Sequence, residues 1–193
     1  MVGRRAYNFM YRTYAPWEGG ARSELVELVT SGRIPPGRAI DLGCGSGANS
    51  IFLAERGFAV TGVDFSPVGL EKARRATPPS LSVDWLHGDL TAPAIPGVSG
   101  TFDLLVDYSV LDDLRGSSVD AMAATVHRLS HPGSVFLMWC FYDEIPWWKR
   151  RGGRFPGLGA GAEQRLFGES FEIERLPEPK RGSGFACFLM TRR

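Results

Sequence analysis

Apolar positions along the chain follow two rhythms. In residues 22–31, RSELVELVTS, Leu25, Val26, Leu28 and Val29 recur at the spacing of one helical face. Helices are predicted likewise over 48–57, ANSIFLAERG, closed by Gly57, and over 67–76, PVGLEKARRA, where Ser66 is the N-cap and Pro67 sits in the first turn. Two more are expected over 117–130 and 162–169. Between these lie short apolar runs bounded by turn residues, which predict strands: RAIDLG (38–43), AVTGVDF (59–65), LSVDWLHGD (81–89) and TFDLLVDYS (101–109). A fifth, SVFLMWCF (134–141), follows a turn expected at His131-Pro132-Gly133. Strand–helix alternation of this kind predicts a parallel sheet with helices on both faces.

The alternation ends near residue 141. FEIERL (171–176) and GFACFLMTR (184–192) are strand-like, and the join between them is too short for a crossover helix. They are therefore expected to be antiparallel. The least regular stretch, residues 143–161 (DEIPWWKRRGGRFPGLGAG), follows the fifth strand. Trp147 and Trp148 mark it as an expected substrate-side loop. The 193 residues read as a single domain without internal repeats.

Charge and cysteine usage narrow the partners. A formal charge of +1 provides no basic field for nucleic acid or an anionic membrane. Cys44, Cys140 and Cys187 are odd in number and far apart, which argues against a disulfide scaffold or a zinc ribbon and suits a reducing cytoplasm. No apolar run approaches the ~18 residues of a membrane span. The opening MVGRRAYNFMYRTYAPW has no apolar signal core and is expected to belong to the folded protein.

The chemistry gathers around residues 39–48, AIDLGCGSGA. Gly43, Gly45 and Gly47, with Ala48, fit the glycine fingerprint of dinucleotide-binding folds. Their missing Cβ atoms let the backbone, with Cys44 between them, approach a ligand in front of a helix N-terminus. Asp41 changes the reading, because a carboxylate so close repels a pyrophosphate and attracts a cation. S-adenosylmethionine (SAM) carries an ammonium and a sulfonium on its methionine arm. Asp64 ends the second strand, where an acid can accept both ribose hydroxyls; alone it suits NAD equally. Asp89 follows the third strand as an acceptor for an adenine amino group, with Phe65 and Leu90 as apolar walls, and Asp107 ends the fourth.

With AIDLGCGSG, VTGVDFSP, HGDL, FDLLVDYSVL and HPGSVFLM, the chain resembles the class I SAM-dependent methyltransferases over roughly residues 38–140. The resemblance implies an α/β, doubly wound, Rossmann-like sheet of seven strands in the order 3-2-1-4-5-7-6. That sheet is mostly parallel, with an antiparallel carboxy-terminal strand. It implies SAM as cofactor, S-adenosylhomocysteine (SAH) as product and a small-molecule methyl acceptor. YRTYAPWEGG resembles the thiopurine-methyltransferase and tellurite-resistance branch, in which an aromatic segment folds over the cofactor. Carried onto this chain, that makes residues 1–21 a lid, with Tyr14 and Trp17 on the cofactor and Tyr11 toward the substrate.

Transfer from a sulfonium needs positioning, dryness and removal of a proton where the acceptor carries one. His87, His127 and His131 read as structural. Asp107, Tyr108 and Tyr142 are the catalytic candidates, Cys140 a candidate for the substrate pocket or the core, and Asp112 and Asp113 read as caps of the following turn. No cluster has metal-ligand spacing, so no metal is expected, although VLDDL holds two carboxylates. Enzymes that methylate base amino groups carry N/D-P-P-Y/F after the fourth strand; here it reads DYSV, and no nucleic-acid or membrane partner is expected. Two alternatives stay open: a SAM- or SAH-binding protein without catalysis, and an NAD(P)-dependent oxidoreductase on the same fold. The acceptor, and monomer against homodimer, also stay open.

Overall fold

The structure is a computed structural model that describes residues 3–15, 17–142, 157–177 and 184–193. In chain order the elements are α1 (Arg4–Arg12), α2 (Ser23–Thr30), β1 (Arg38–Leu42), α3 (Ala48–Glu55), β2 (Ala59–Asp64), α4 (Pro67–Ala76) and β3 (Val83–His87). Then come β4 (Phe102–Tyr108), a 3₁₀ turn (Leu111–Asp113), α5 (Ser117–Leu129), β5 (Ser130–Phe141), α6 (Ala162–Phe167), β6 (Phe171–Arg175) and β7 (Phe185–Arg192). The strands form one sheet in the order β3-β2-β1-β4-β5-β7-β6. Neighbours from β3 to β5 run parallel, and β7 is antiparallel to both β5 and β6.

Local sequence accounts for most boundaries. Ser66 caps α4, its hydroxyl accepting the Gly69 N–H at 3.1 Å ahead of Pro67. Two expectations need correction. The expected turn at residues 131–133 lies within β5, where pairing with β4 slips between Phe102 and Leu104. Ser134 makes the slip tolerable: its hydroxyl accepts the His131 N–H at 2.8 Å and donates to the Phe102 carbonyl at 2.6 Å, so the irregular backbone keeps its partners. Strand–helix alternation also fails between β3 and β4. Residues 88–101 cross without a helix, since Pro93, Pro96, Gly97 and Gly100 break any helical run, and Leu90 and Ile95 bury the connection instead.

Alternate residues of the central strands feed opposite faces, as the two-residue strand period requires. Leu105, Phe136, Met138 and Cys140 pack with Met122, Val126 and Phe167 under α5 and α6. Leu104, Val106, Leu137 and Trp139 pack with Leu25, Leu28, Phe52 and Leu53 under α2 and α3. No described helix is long and apolar enough to cross a membrane.

Candidate active site

Parallel register brings the ends of the central strands together, with Leu42 beside both Val63 and Asp107. The chain leaves β1 through Gly43 and Cys44, whose N–H groups donate to the Val63 carbonyl at 2.8 and 3.0 Å. Gly45 then turns back with φ +54° and donates its N–H to Asp64 Oδ2 at 2.8 Å. A Cβ on Gly45 would lie 2.5 Å from the Tyr11 hydroxyl, so glycine is needed for both its φ and its contact.

The acids at the strand ends occupy different environments. Asp41 is buried beneath the turn and accepts from Ser50 Oγ at 2.6 Å. Burial pushes its carboxyl up to about 6, with the Ser50 hydroxyl pulling down and neighbouring Asp64 pushing up. Asp64 is also buried; its oxygens accept the Gly45 and Ser66 N–H groups, the latter at 2.7 Å. Burial raises its pKa against those bonds and the nearby His87. Each Asp64 oxygen keeps a lone pair for another donor. Asp89 is exposed and accepts from the Thr91 N–H and hydroxyl at 2.8 and 2.7 Å. Leu90 lies in the core, while half-buried Phe65 lies edge-on to Tyr7 at 5.4 Å.

Helix α1 spans this edge. Buried Tyr11 accepts from Trp17 Nε1 at 3.2 Å, and Tyr7 packs on Trp17 with ring centroids 5.4 Å apart. Asn8 Oδ1 accepts from Ser66 Oγ at 2.6 Å, and the Tyr7 hydroxyl donates to the Asp113 carboxylate. The helix is thus tied to the segments following β2 and β4 and passes over the glycine turn. Tyr14 does not join this cluster and is 76% exposed.

Beyond β4, Asp107 is buried and its two oxygens accept the Val110 and Leu111 N–H groups at 2.9 and 3.1 Å, which caps the turn internally. Burial and the neighbouring Asp112 raise its pKa strongly. Ser109 takes φ +65°, a left-handed conformation costly for a residue with a side chain. Asp112 and Asp113 do not act as the expected caps: they lie inside the 3₁₀ turn, whose N-cap is Val110, and the helix beyond it is capped at Gly116. Asp112 is 2% exposed; its Oδ2 accepts the Phe141 N–H at 2.8 Å and the Ser109 hydroxyl at 3.1 Å. Its Oδ1 is the one buried side-chain nitrogen or oxygen among the described residues without a hydrogen-bond partner. Such an orphan costs ~1–3 kcal/mol. Burial lifts the Asp112 carboxyl to about 7, the Phe141 and Ser109 bonds opposing and Asp113 adding to the rise.

The other candidates point elsewhere. Tyr108 stacks on Trp139 at 4.2 Å, with the Arg22 guanidinium 3.7 Å over its ring on the α2 side. The Tyr142 hydroxyl donates to Glu163 at 2.9 Å and accepts the Gly161 N–H, which ties it to α6. Cys140 is buried, and burial with the Asp112 and Asp107 charges raises its thiol pKa. Trp147 and Trp148 lie outside the described residues. His87 bonds the Phe65 carbonyl, His127 joins Leu166 to Arg192, and His131 bonds Pro132 and Asp103. Among the described residues no group of three potential ligands is placed to hold a metal. Sequence reasoning missed Tyr7 and Ser109 and read Asp112 as a cap. A signal for Tyr7 existed in its four-residue spacing from Tyr11.

Residues 39–133 match the model of the methyltransferase domain family, beginning at β1 and ending within β5. Over those residues the chain is similar to that family. A relative of the methyltransferase domain is an uncharacterized methyltransferase of Synechocystis, 29% identical over 147 residues, which are 69% of this chain and 65% of that protein. Another is the 2-heptyl-1-hydroxyquinolin-4(1H)-one methyltransferase of Mycobacteroides abscessus, 25% identical over 65% of this chain and 56% of that one. The chain thus spans less than two thirds of the length of these relatives. A TehB-like SAM-dependent methyltransferase from Corynebacterium glutamicum shares the fold of the methyltransferase domain, with a TM-score of 0.71, 22% identity and 98% of both chains covered.

Proposed function

We propose that the protein transfers a methyl group from SAM to a small-molecule acceptor and releases SAH. The observation that carries this reading is the cradle of Gly45, Asp64 and Ser66 at the carboxyl edge of the sheet, roofed by Tyr7, Tyr11 and Trp17. The donor set suits the cofactor. Asp64 has lone pairs left for ribose hydroxyls, Gly43, Cys44, Gly45 and Gly47 let the backbone come close, and Phe65 and Asp89 flank the adenine side. Asp41 acts from beneath, as an acid that disfavours a pyrophosphate and favours a cationic arm, while Asp107 holds the turn after β4. Bound SAM supplies a methyl carbon with a neutral leaving group. The chain's own work is to orient that arm, to exclude water with α1 and to hold the acceptor beyond β4. The relative from Mycobacteroides abscessus supports a small organic acceptor.

Calorimetric titration with SAH and NADH tests the cofactor, with SAH expected to bind and NADH not. Binding of NADH without SAH would overturn the reading in favour of an oxidoreductase. Asp64→Ala is expected to weaken SAH binding by ~1–3 kcal/mol, the scale of a lost hydrogen bond to a charged group. A labelled-methyl screen over thiols, phenols, quinols and heterocyclic amines then tests catalysis. SAH binding with no transfer in that screen would favour a binding protein without catalysis.

A further inference from the structure

We propose that Asp112 is the general base of this site, its Oδ1 taking the proton of a hydroxyl acceptor as the acceptor oxygen attacks the methyl carbon. The proposal rests on the methyl-transfer reading and narrows its acceptors to compounds with an ionisable O–H. Of the buried acids at this edge, Asp41 is bonded to Ser50, Asp64 to Gly45 and Ser66, Asp107 to Val110 and Leu111, and Asp113 to Tyr7. Asp112 differs in that its bare oxygen is fully buried: both of its hydrogen bonds fall on Oδ2, and Oδ1 is enclosed without a partner.

The surroundings are built to hold that arrangement. The left-handed Ser109 delivers its hydroxyl to Oδ2, and the Phe141 N–H holds the same oxygen from the end of β5. Strained backbone and an unsatisfied buried acceptor at one turn both oppose stability, and such features collect where a ligand completes the bonding. The turn lies between the carboxyl ends of β4 and β5, one strand beyond the glycine turn, where an acceptor would meet the methyl group. The titratable groups facing Asp112 are Asp107 and Tyr108 on β4, Asp113 on its own turn, Tyr7 on α1 and Cys140 on β5. Burial among them places the carboxyl near neutrality, as base catalysis requires.

The step balances. The acceptor oxygen–carbon bond forms, and the carbon–sulfur bond breaks with its electron pair left on sulfur. The O–H bond breaks with its pair left on the acceptor oxygen, and the proton goes to Asp112 Oδ1 and then to solvent.

Methyl transfer from SAM to a phenol series, 4-nitrophenol to 4-methoxyphenol, tests the proposal in the wild type and in Asp112→Asn. In the wild type acting on 4-methoxyphenol, whose hydroxyl stays protonated well above neutrality, kcat/KM should rise with pH to a plateau above about 7, since only the carboxylate accepts a proton. Asp112→Asn should lower kcat/KM by ~10²–10⁴-fold, flatten that profile and lose most with the least acidic phenol. SAH affinity should stay unchanged. A loss uniform along the series, a wild-type profile without that rise, or no transfer to any phenol while SAH still binds would each overturn the proposal. Where Asp112→Asn fails to fold, the wild-type profile alone decides. Failure of the wild type to bind SAH would instead bring down the methyl-transfer reading itself.

Discussion

Asp41, Asp64, Asp107, Asp112 and Asp113 are all buried at or beside the carboxyl edge, and their hydrogen-bond partners distinguish them. The first three lie at the carboxyl ends of β1, β2 and β4, a pattern visible in the linear sequence. Which oxygen of which acid lacks a donor is set by Phe141 and Ser109, which come from different segments. That is why Asp112 reads as a cap in the sequence and as an unsatisfied acid in the fold. Asp107 makes the reverse journey, from catalytic candidate to internal cap. The raised Asp112 pKa also has a consequence for stability. A carboxyl raised to about 7 in the fold favours its protonated form there, so its contribution is complete below the ordinary carboxylate range and is lost as pH rises through about 7. Asp112→Asn has no such ionisation and keeps an acceptor for the Phe141 N–H. Its stability relative to the wild type should therefore improve by about 2–3 kcal/mol between pH 5 and pH 8. Urea unfolding at both values measures this, and a pH-independent difference would mean that Asp112 ionises as freely in the fold as in water.

Among the elements, the central strands and their helices were legible because their apolar periods agree with the surfaces they bury. Helix α1 was legible only as an aromatic segment. It has nine residues, three of them arginine, and is expected to be marginal in isolation. Its reasons for being helical lie elsewhere: the Tyr11 contact at Gly45, the Asn8 bond to Ser66 and the Tyr7 bond to Asp113. Those anchors sit on segments that a bound cofactor would touch, so we infer that α1 is a lid. Tyr7→Phe removes the Asp113 bond and keeps the ring against Phe65 and Trp17. It should speed SAH dissociation by roughly tenfold, the equivalent of ~1.4 kcal/mol. Stopped-flow measurement of SAH release checks this, and an unchanged rate would make α1 a fixed part of the fold rather than a lid.

At the scale of the molecule, the sheet separates two apolar clusters among the described residues. Strands β1, β2, β4, β5 and β7 carry buried residues on both faces, which explains how one chain holds so many ionisable groups below its surface. The order β3-β2-β1-β4-β5-β7-β6 keeps the site on the central strands, which are flanked on both sides. Such a core should unfold as a unit while responding independently to small changes on its two faces. Ile34 packs with the α2–α3 cluster and Ile95 with the α5–α6 cluster, each 3% exposed. Ile34→Val and Ile95→Val should each cost ~0.5–1.5 kcal/mol, the range for one buried methylene. Both fit within a domain stability of ~5–15 kcal/mol. Because the two residues belong to separate clusters, the double variant should lose the sum to within ~0.5 kcal/mol. Urea midpoints read at an unchanged slope test this directly. A shortfall beyond that margin would mean that the strands transmit packing from one face to the other, and the site on their shared edge would then respond to substitutions on either side.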